Sequence, residues 1–307
     1  MKRLVLALIV ALASTSPLAA RTFGPLVTPT EIQAAEAARP IVLDTRGPAY
    51  DQGHIPGAIS APYGLFRGPA ENPGALVPVD ELQSRLRALG LTTDRPVVIV
   101  HQGKDDSDFG SAARVYWTLK STGFTDLSIL NGGMNAWLAA GLPLETEKVV
   151  PTPSDITISF SDEWLATTDE VERIVDGQEA AHLIDARPPA FFEGKQAHEA
   201  AARPGTLPGA ENLPHSQFFV GGSPAIGGVS TAKDVAAKLG LKQGEEVVSF
   251  CNTGHWAATD WFALSELAGV PGVKLYPDSM VGYSQTGKPM ENTPGLWQNL
   301  KRQIGGN

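Results

Sequence analysis

One cysteine, Cys251, occurs in 307 residues, so no disulfide can close within the chain. Beyond residue 20 no stretch approaches the ~20 consecutive apolar residues that span a bilayer, which excludes stable membrane insertion by a later helix. Positive charge is also scarce: 24 Lys and Arg face 33 Asp and Glu, for a formal net charge of −9. A chain this acidic has no electrostatic footprint for nucleic acid or for an anionic membrane. Any small anion it binds must be held by local donors rather than by the overall field.

What is present begins at the N-terminus. Lys2 and Arg3, an apolar run from Leu4 to Ala13 and a small-residue exit from Ser14 to Ala20 have the layout of a signal peptide, with cleavage after Ala19 or Ala20. Export, to the periplasm, is therefore expected, and loss of Lys2 and Arg3 takes the formal charge from −9 to −11. The lone thiol of an exported protein is buried, paired with another chain, or reactive. Cys251 sits in Val-Val-Ser-Phe-Cys-Asn-Thr-Gly-His-Trp-Ala-Ala (247 to 258), where a β-branched run breaks into a glycine turn and then a helix-like stretch. At the end of a strand and facing a helix N-terminus, backbone N–H groups and the helix dipole favour a thiolate. The competing reading is a small apolar filler.

The chain reads as a duplication. Leu-Val-Thr-Pro-Thr-Glu-Ile (26 to 32) recurs as Leu-Ala-Thr-Thr-Asp-Glu-Val (165 to 171), and Ile-Val-Leu-Asp-Thr-Arg (41 to 46) as His-Leu-Ile-Asp-Ala-Arg (182 to 187). Ile-Pro-Gly-Ala (55 to 58) recurs as Leu-Pro-Gly-Ala (207 to 210), Leu-Gly-Leu (89 to 91) at 239 to 241, and Val97-Val98 as Val247-Val248. Five blocks in one order imply two copies of a domain, with a period far longer than that of a solenoid. In the second copy, helices are expected over Val171–Ile174, Ala232–Leu239 and Ala257–Leu267, the last ended by Gly269, and strands over Leu183-Ile184 and Val247–Phe250. Alternating strands and helices predict an α/β fold, each copy a mostly parallel sheet flanked by helices. Ligands bind such sheets beyond the carboxyl ends of the strands, where Cys251 falls. The expected organisation is a signal peptide (1–20), a first domain (21–148), a linker (149–164) with Pro151 and Pro153, and a second domain (165–307).

These motifs resemble the tandem form of the rhodanese (thiosulfate sulfurtransferase) family. The first copy has Asp44-x-Arg46, then Tyr50-x-x-x-His54-Ile55-Pro56-Gly57-Ala58, and a domain-closing Asn131-Gly132-Gly133-Met134-x-Ala136-Trp137. The second has Asp185-x-Arg187, a longer insertion, Leu207-Pro208-Gly209-Ala210, and Cys251-Asn252-Thr253-Gly254 as the active loop. The resemblance implies a sulfurtransferase working through a Cys251 persulfide by two displacements, with no metal and no organic cofactor. The donor is a small anion such as thiosulfate, with 3-mercaptopyruvate as an alternative, and the acceptor is a thiol, cyanide or a sulfur-carrier protein. Substrate contacts are expected from Asn252, Thr253, Gly254, His255, Trp256 and Arg187, with loop amides from Asn252 to Trp256 turned toward the sulfur. Asp185-x-Arg187 also admits a purely structural reading, bracing neighbouring loops.

Departures from the pattern bear on the donor. The copies align His101 with Cys251, so the first domain lacks a nucleophile, and His101 with Asp105, Asp106 and Asp108 has no familiar metal-ligand spacing. Thiosulfate enzymes of the family place Arg and Lys after the cysteine and a further Arg where this chain has Phe191. His255 when protonated, or Lys195, His198 and Arg203 in the insertion, are the alternative cations. A relay module passing persulfide sulfur to a protein partner is the second functional reading. A phosphatase is the third, disfavoured because the sixth residue after Cys251 is Ala257 rather than the arginine that would clamp phosphate.

Overall fold

The computed structural model describes residues 21–295; the expected signal peptide and the last residues of the expected second domain lie outside the described residues. The first half is a parallel sheet of β1 (Leu26–Val27), β2 (Ile41–Asp44), β3 (Ile59–Ser60), β4 (Val97–Val100) and β5 (Leu127–Leu130), in the order β1-β5-β4-β2-β3. All residues of β2, β4 and β5 are buried, as expected where helices cover both faces of a parallel sheet. Those helices are α1 (Pro29–Ala34), α2 (Val79–Ala88), α3 (Phe109–Ser121) and α4 (Gly133–Ala139).

The second half repeats the plan. α5 (Thr168–Val175) precedes β6 (His182–Asp185), α6 (Pro189–Phe192), β7 (Glu211–Asn212), α7 (Val229–Lys238), β8 (Val247–Phe250), α8 (Trp256–Trp261), β9 (Val273–Leu275) and α9 (Ser279–Gln285). Its sheet order is β7-β6-β8-β9, and Leu165 pairs in parallel with Leu275 in the place β1 occupies in the first sheet. β6 pairs β8 from His182–Val247 to Asp185–Phe250, as β2 pairs β4 from Ile41–Val97 to Asp44–Val100. The repeated Thr-x-x-Glu has a local cause: Thr28 and Thr167 are N-caps, accepting the N–H of Glu31 and Glu170.

Three expected helices differ in their bounds. α5 starts at Thr168, three residues before Val171, because Thr167 caps it. α7 starts at Val229, three residues before Ala232, because the extended Gly228 holds the cap position. The helix expected over 257–267 starts one residue earlier as α8 and continues as a π-helical stretch, Phe262–Ala268, before Gly269 closes it with φ 75°.

The halves share a core. α3 is buried on nearly every side; its Phe109, Ala112, Ala113, Tyr116 and Trp117 join Ala257, Ala258, Trp261 and Phe262 in one apolar cluster that extends into both sheets. Tyr116 meets Phe262 edge-on with centroids 5.0 Å apart, and Trp261 lies at 6.2 Å. The indoles keep their N–H groups satisfied, Trp117 on Trp164 O at 2.8 Å and Trp261 on Val273 O at 2.9 Å. Residues 149–161 carry no helix or strand; Arg87 Nε donates to Ile156 O at 2.7 Å and Ile158 N–H to Gln83 Oε1 at 3.1 Å, so the segment lies along α2.

A shared core predicts that the halves unfold together. Trp261→Ala should cost about 3–5 kcal/mol and shift denaturation of both sheets equally, read by hydrogen exchange in β2–β5 and β6–β9. Loss of protection confined to the second sheet would contradict this.

Candidate active site

Cys251 follows β8 directly and is 1% exposed. Its loop is pinned by α9. Ser279 Oγ accepts the N–H of Cys251 at 3.0 Å and of Gly254 at 3.1 Å, and donates to Tyr276 O at 2.8 Å. Met280 and Val281 N–H donate to Cys251 O and Asn252 O, both at 3.0 Å, so two first-turn amides of α9 find partners in the loop. The first half is built alike, with Met134 N–H on His101 O at 2.8 Å and Asn135 N–H on Gln102 O at 2.9 Å. Ser279 has φ 51°, where its counterpart Gly133 has φ 59°. Sequence reasoning missed Ser279, because the closing Asn-Gly-Gly-Met of the first copy becomes Pro277-Asp278-Ser279-Met280 and only the methionine survives.

Several expected substrate contacts prove to be braces. Arg187, 1% exposed, grips Asp185 through Nε at 2.8 Å and Nη2 at 2.5 Å, donates to Gly205 O at 2.9 Å, and touches the loop only at Asn252 Oδ1, 3.3 Å from Nη1. Arg46 repeats this in the half without a nucleophile, holding Asp44, Gly53 O and Gln102 Oε1. The structural reading of Arg187 therefore describes its contacts. Gly254 also turns away from the sulfur: its amide bonds to Ser279, its φ is +64°, and a Cβ there would lie 2.8 Å from Pro277 O. The amides of Asn252, Thr253 and His255 make no hydrogen bond within the described protein, so the expected cradle is reduced to part of the loop.

His255 and Trp256 bridge the halves. His255 Nε2 donates to Ser107 O at 2.8 Å, and its Nδ1 lies 2.9 Å from Tyr63 Oη. Burial, with the Arg67 charge adding, lowers its pKa to about 4. The expectation that His255 supplies a positive charge is thus corrected: the ring is neutral and its nitrogens are occupied. Trp256 Nε1 donates to Ser107 Oγ at 2.7 Å, while its ring stacks on His215 at 5.0 Å and meets Phe191 at 5.9 Å.

A cavity of about 210 Å³ opens on the thiol, lined by Arg67, His198, Cys251, Asn252, Thr253, His255 and Trp256. His198 thus reaches the site. Arg203 does not line it and donates instead to Lys288 O, and Lys195 pairs with Glu193. Arg67 was not foreseen, since it lies far from Cys251 in sequence. Neither was Arg114, 1% exposed on α3, which donates to Gly74 O at 2.8 Å and Gly254 O at 3.2 Å. Burial and Arg67 lower its pKa to about 9, which leaves it charged at neutral pH.

Below the loop, Asp260 is fully buried with both oxygens unpartnered; burial, with the Cys251 and Asp185 charges adding, raises its pKa well above the usual range. His101, at the position of the missing nucleophile, bonds Asp108 Oδ2 at 3.0 Å, and Asp108 also accepts the N–H of Gly103 at 2.6 Å and of Lys104 at 3.1 Å. This carboxylate organises the loop that presents Ser107.

Residues 28–140 and 167–286 each match the Rhodanese-like domain family. The chain is 30% identical over 260 residues to the thiosulfate sulfurtransferase of Azotobacter vinelandii, covering 83% of this chain and 92% of that one. It is 30% identical over 243 residues to the sulfur carrier protein TtuD of Thermus thermophilus, covering 75% and 82%. SseA from Escherichia coli, a 3-mercaptopyruvate sulfotransferase with the "Rhodanese" fold, matches with a TM-score of 0.71 at 24% identity, covering 84% and 99%.

Two predictions follow from this geometry. Ser279→Gly keeps the left-handed backbone but removes the acceptor of two loop amides, at a cost of about 1–3 kcal/mol; Cys251 sulfur loading in single-turnover experiments should slow at least about tenfold, and an unchanged rate would refute the pinning role. For His255, the unfolded chain takes up a proton near pH 6.5 and the folded protein only near 4, so stability is full above 6.5 and falls as pH drops toward 4. Urea titrations across that range should show a weaker pH dependence in His255→Gln than in the wild type.

Proposed function

The chain belongs to the rhodanese family of sulfurtransferases, and on that premise we propose that Cys251 carries a sulfane sulfur as a persulfide from a small anionic donor, thiosulfate first, to a thiophilic acceptor. The observation that carries the proposal is the lone thiol at the end of β8, opening on a cavity of about 210 Å³. The Cys251 thiolate attacks the outer sulfur of the donor, and the bond from that sulfur to the sulfonate breaks with its electron pair, releasing sulfite. A thiol or cyanide then attacks the outer persulfide sulfur and returns the thiolate, giving ping-pong kinetics. Ser279 and Arg114 hold the loop while the sulfur is loaded and unloaded, and Trp256 walls the cavity from water.

A second reading favours a relay to a protein acceptor, with turnover by free acceptors slow. It is motivated by the 30% identity to a protein named as a sulfur carrier. In both readings we infer export to the periplasm, a reading supported by the signal-like layout of residues 1–20, and 3-mercaptopyruvate is the alternative donor.

Intact-mass spectrometry of protein purified from a periplasmic extract tests these points together. After exposure to thiosulfate, or separately to 3-mercaptopyruvate, the wild type should gain one sulfur mass and Cys251→Ser should not. The starting mass should correspond to cleavage after Ala19 or Ala20. Equal sulfur gain in the mutant would rule out Cys251 as the carrier.

A further inference from the structure

Three arginines approach the active loop, and two of them have both terminal guanidinium nitrogens hydrogen-bonded within the protein, Arg114 leaving only its Nε without a partner. Arg187 is divided among Asp185, Gly205 O and Asn252, and Arg114 holds Gly74 O and Gly254 O. Arg67 differs. It follows a short turn, Tyr63–Phe66, anchored by its backbone N–H on Gly64 O at 3.3 Å, and its guanidinium lies over the Tyr63 ring, 5.1 Å from the centroid. Its Nη1 is shut off from solvent and has no hydrogen-bond partner, and the residue lines the cavity that holds Cys251. A buried charged donor without an acceptor is unfavourable. An acceptor entering the cavity would relieve it.

The surroundings specify that occupant. Arg67 is the one Lys or Arg among the residues lining the cavity. The position where a second cation was expected holds Phe191, against Trp256. His198, also in the wall, accepts the Ala200 N–H at Nδ1. With a net charge of −9, the protein offers an anion no general attraction, and the volume, about 210 Å³, suits a donor of fewer than about ten heavy atoms.

We propose that Arg67, on the first half of the chain, receives the anionic oxygens of the sulfur donor that reacts with Cys251 on the second. This rests on the sulfur-transfer reading above. With thiosulfate, the Cys251 thiolate and the donor dianion give a persulfide anion and sulfite dianion. The Cys251–sulfur bond forms as the bond from the outer sulfur to the sulfonate breaks, so charge balances and no redox partner is needed. Arg67 binds the sulfonate oxygens in the ground state and the growing charge on departing sulfite. With 3-mercaptopyruvate, the same guanidinium takes the carboxylate. The half without a nucleophile thereby supplies the cation that the active loop lacks.

Steady-state kinetics of Arg67→Gln and Arg67→Lys with thiosulfate and with 3-mercaptopyruvate test this, alongside discharge of the preloaded persulfide by uncharged dithiothreitol. Arg67→Gln should raise KM for the anionic donor at least about tenfold, Arg67→Lys should recover part of the loss, and the discharge rate should stay within about twofold. A KM rise for thiosulfate alone identifies a sulfonate site; a rise for both donors identifies a general anion site. An unchanged KM with both donors in a normally loading protein, or an equal loss in loading and discharge, overturns the role of Arg67. If the wild type accepts sulfur from neither donor, the sulfur-transfer reading fails first.

Discussion

The packing of α3 against α8 is the contact on which the rest of the molecule depends. α8 begins five residues after Cys251, so whatever sets its position also sets the reactive loop. Its inner face is covered by the first half, through Phe109, Ala112, Ala113 and Tyr116. Polar contacts extend this apolar joint toward the thiol: Arg114 reaches the Gly254 carbonyl, and Ser107 takes the side chains of both His255 and Trp256. Rigidity at the sulfur is thus a property of the joined halves.

The duplication kept geometry and divided roles. Each half keeps an Asp-x-Arg brace, a loop leaving the central strand, and a helix whose first amides hold that loop. In one half the loop carries the thiol. In the other, His101 and its Asp108 partner shape a loop whose Ser107 supports the first. The loop that lost the nucleophile therefore still serves the site, as part of its wall.

Much of the fold was legible because it is written locally. Threonine caps, β-branched runs and the repeated Asp-x-Arg each act within a few residues, and their repetition revealed the two sheets. Cys251 was legible for the same reason, at the junction of a strand and a glycine turn. Ser279, Tyr63, Arg67 and Arg114 were not, because each reaches the loop from a distant part of the chain. His255 was misread for a related reason. A histidine beside a nucleophile looks cationic until its burial against the other half, and the Arg67 charge that half contributes, are counted. The π-helical end of α8 has no signal in apolar periodicity, since every turn there is buried or nearly so.

The bonds from Ser107 to His255 and Trp256 bear on how such loops diversify. Positions 255 and 256 lie within the active motif, yet their polar atoms answer to residues 63 and 107. Substitutions at these two loop positions are therefore expected to travel with compensating changes in the opposite half, as pairs inherited together. Asn252 is tied to Arg187 through its Oδ1, which leaves Thr253, whose side chain makes no hydrogen bond in the described protein, as the loop position free to drift with the chemistry of the donor.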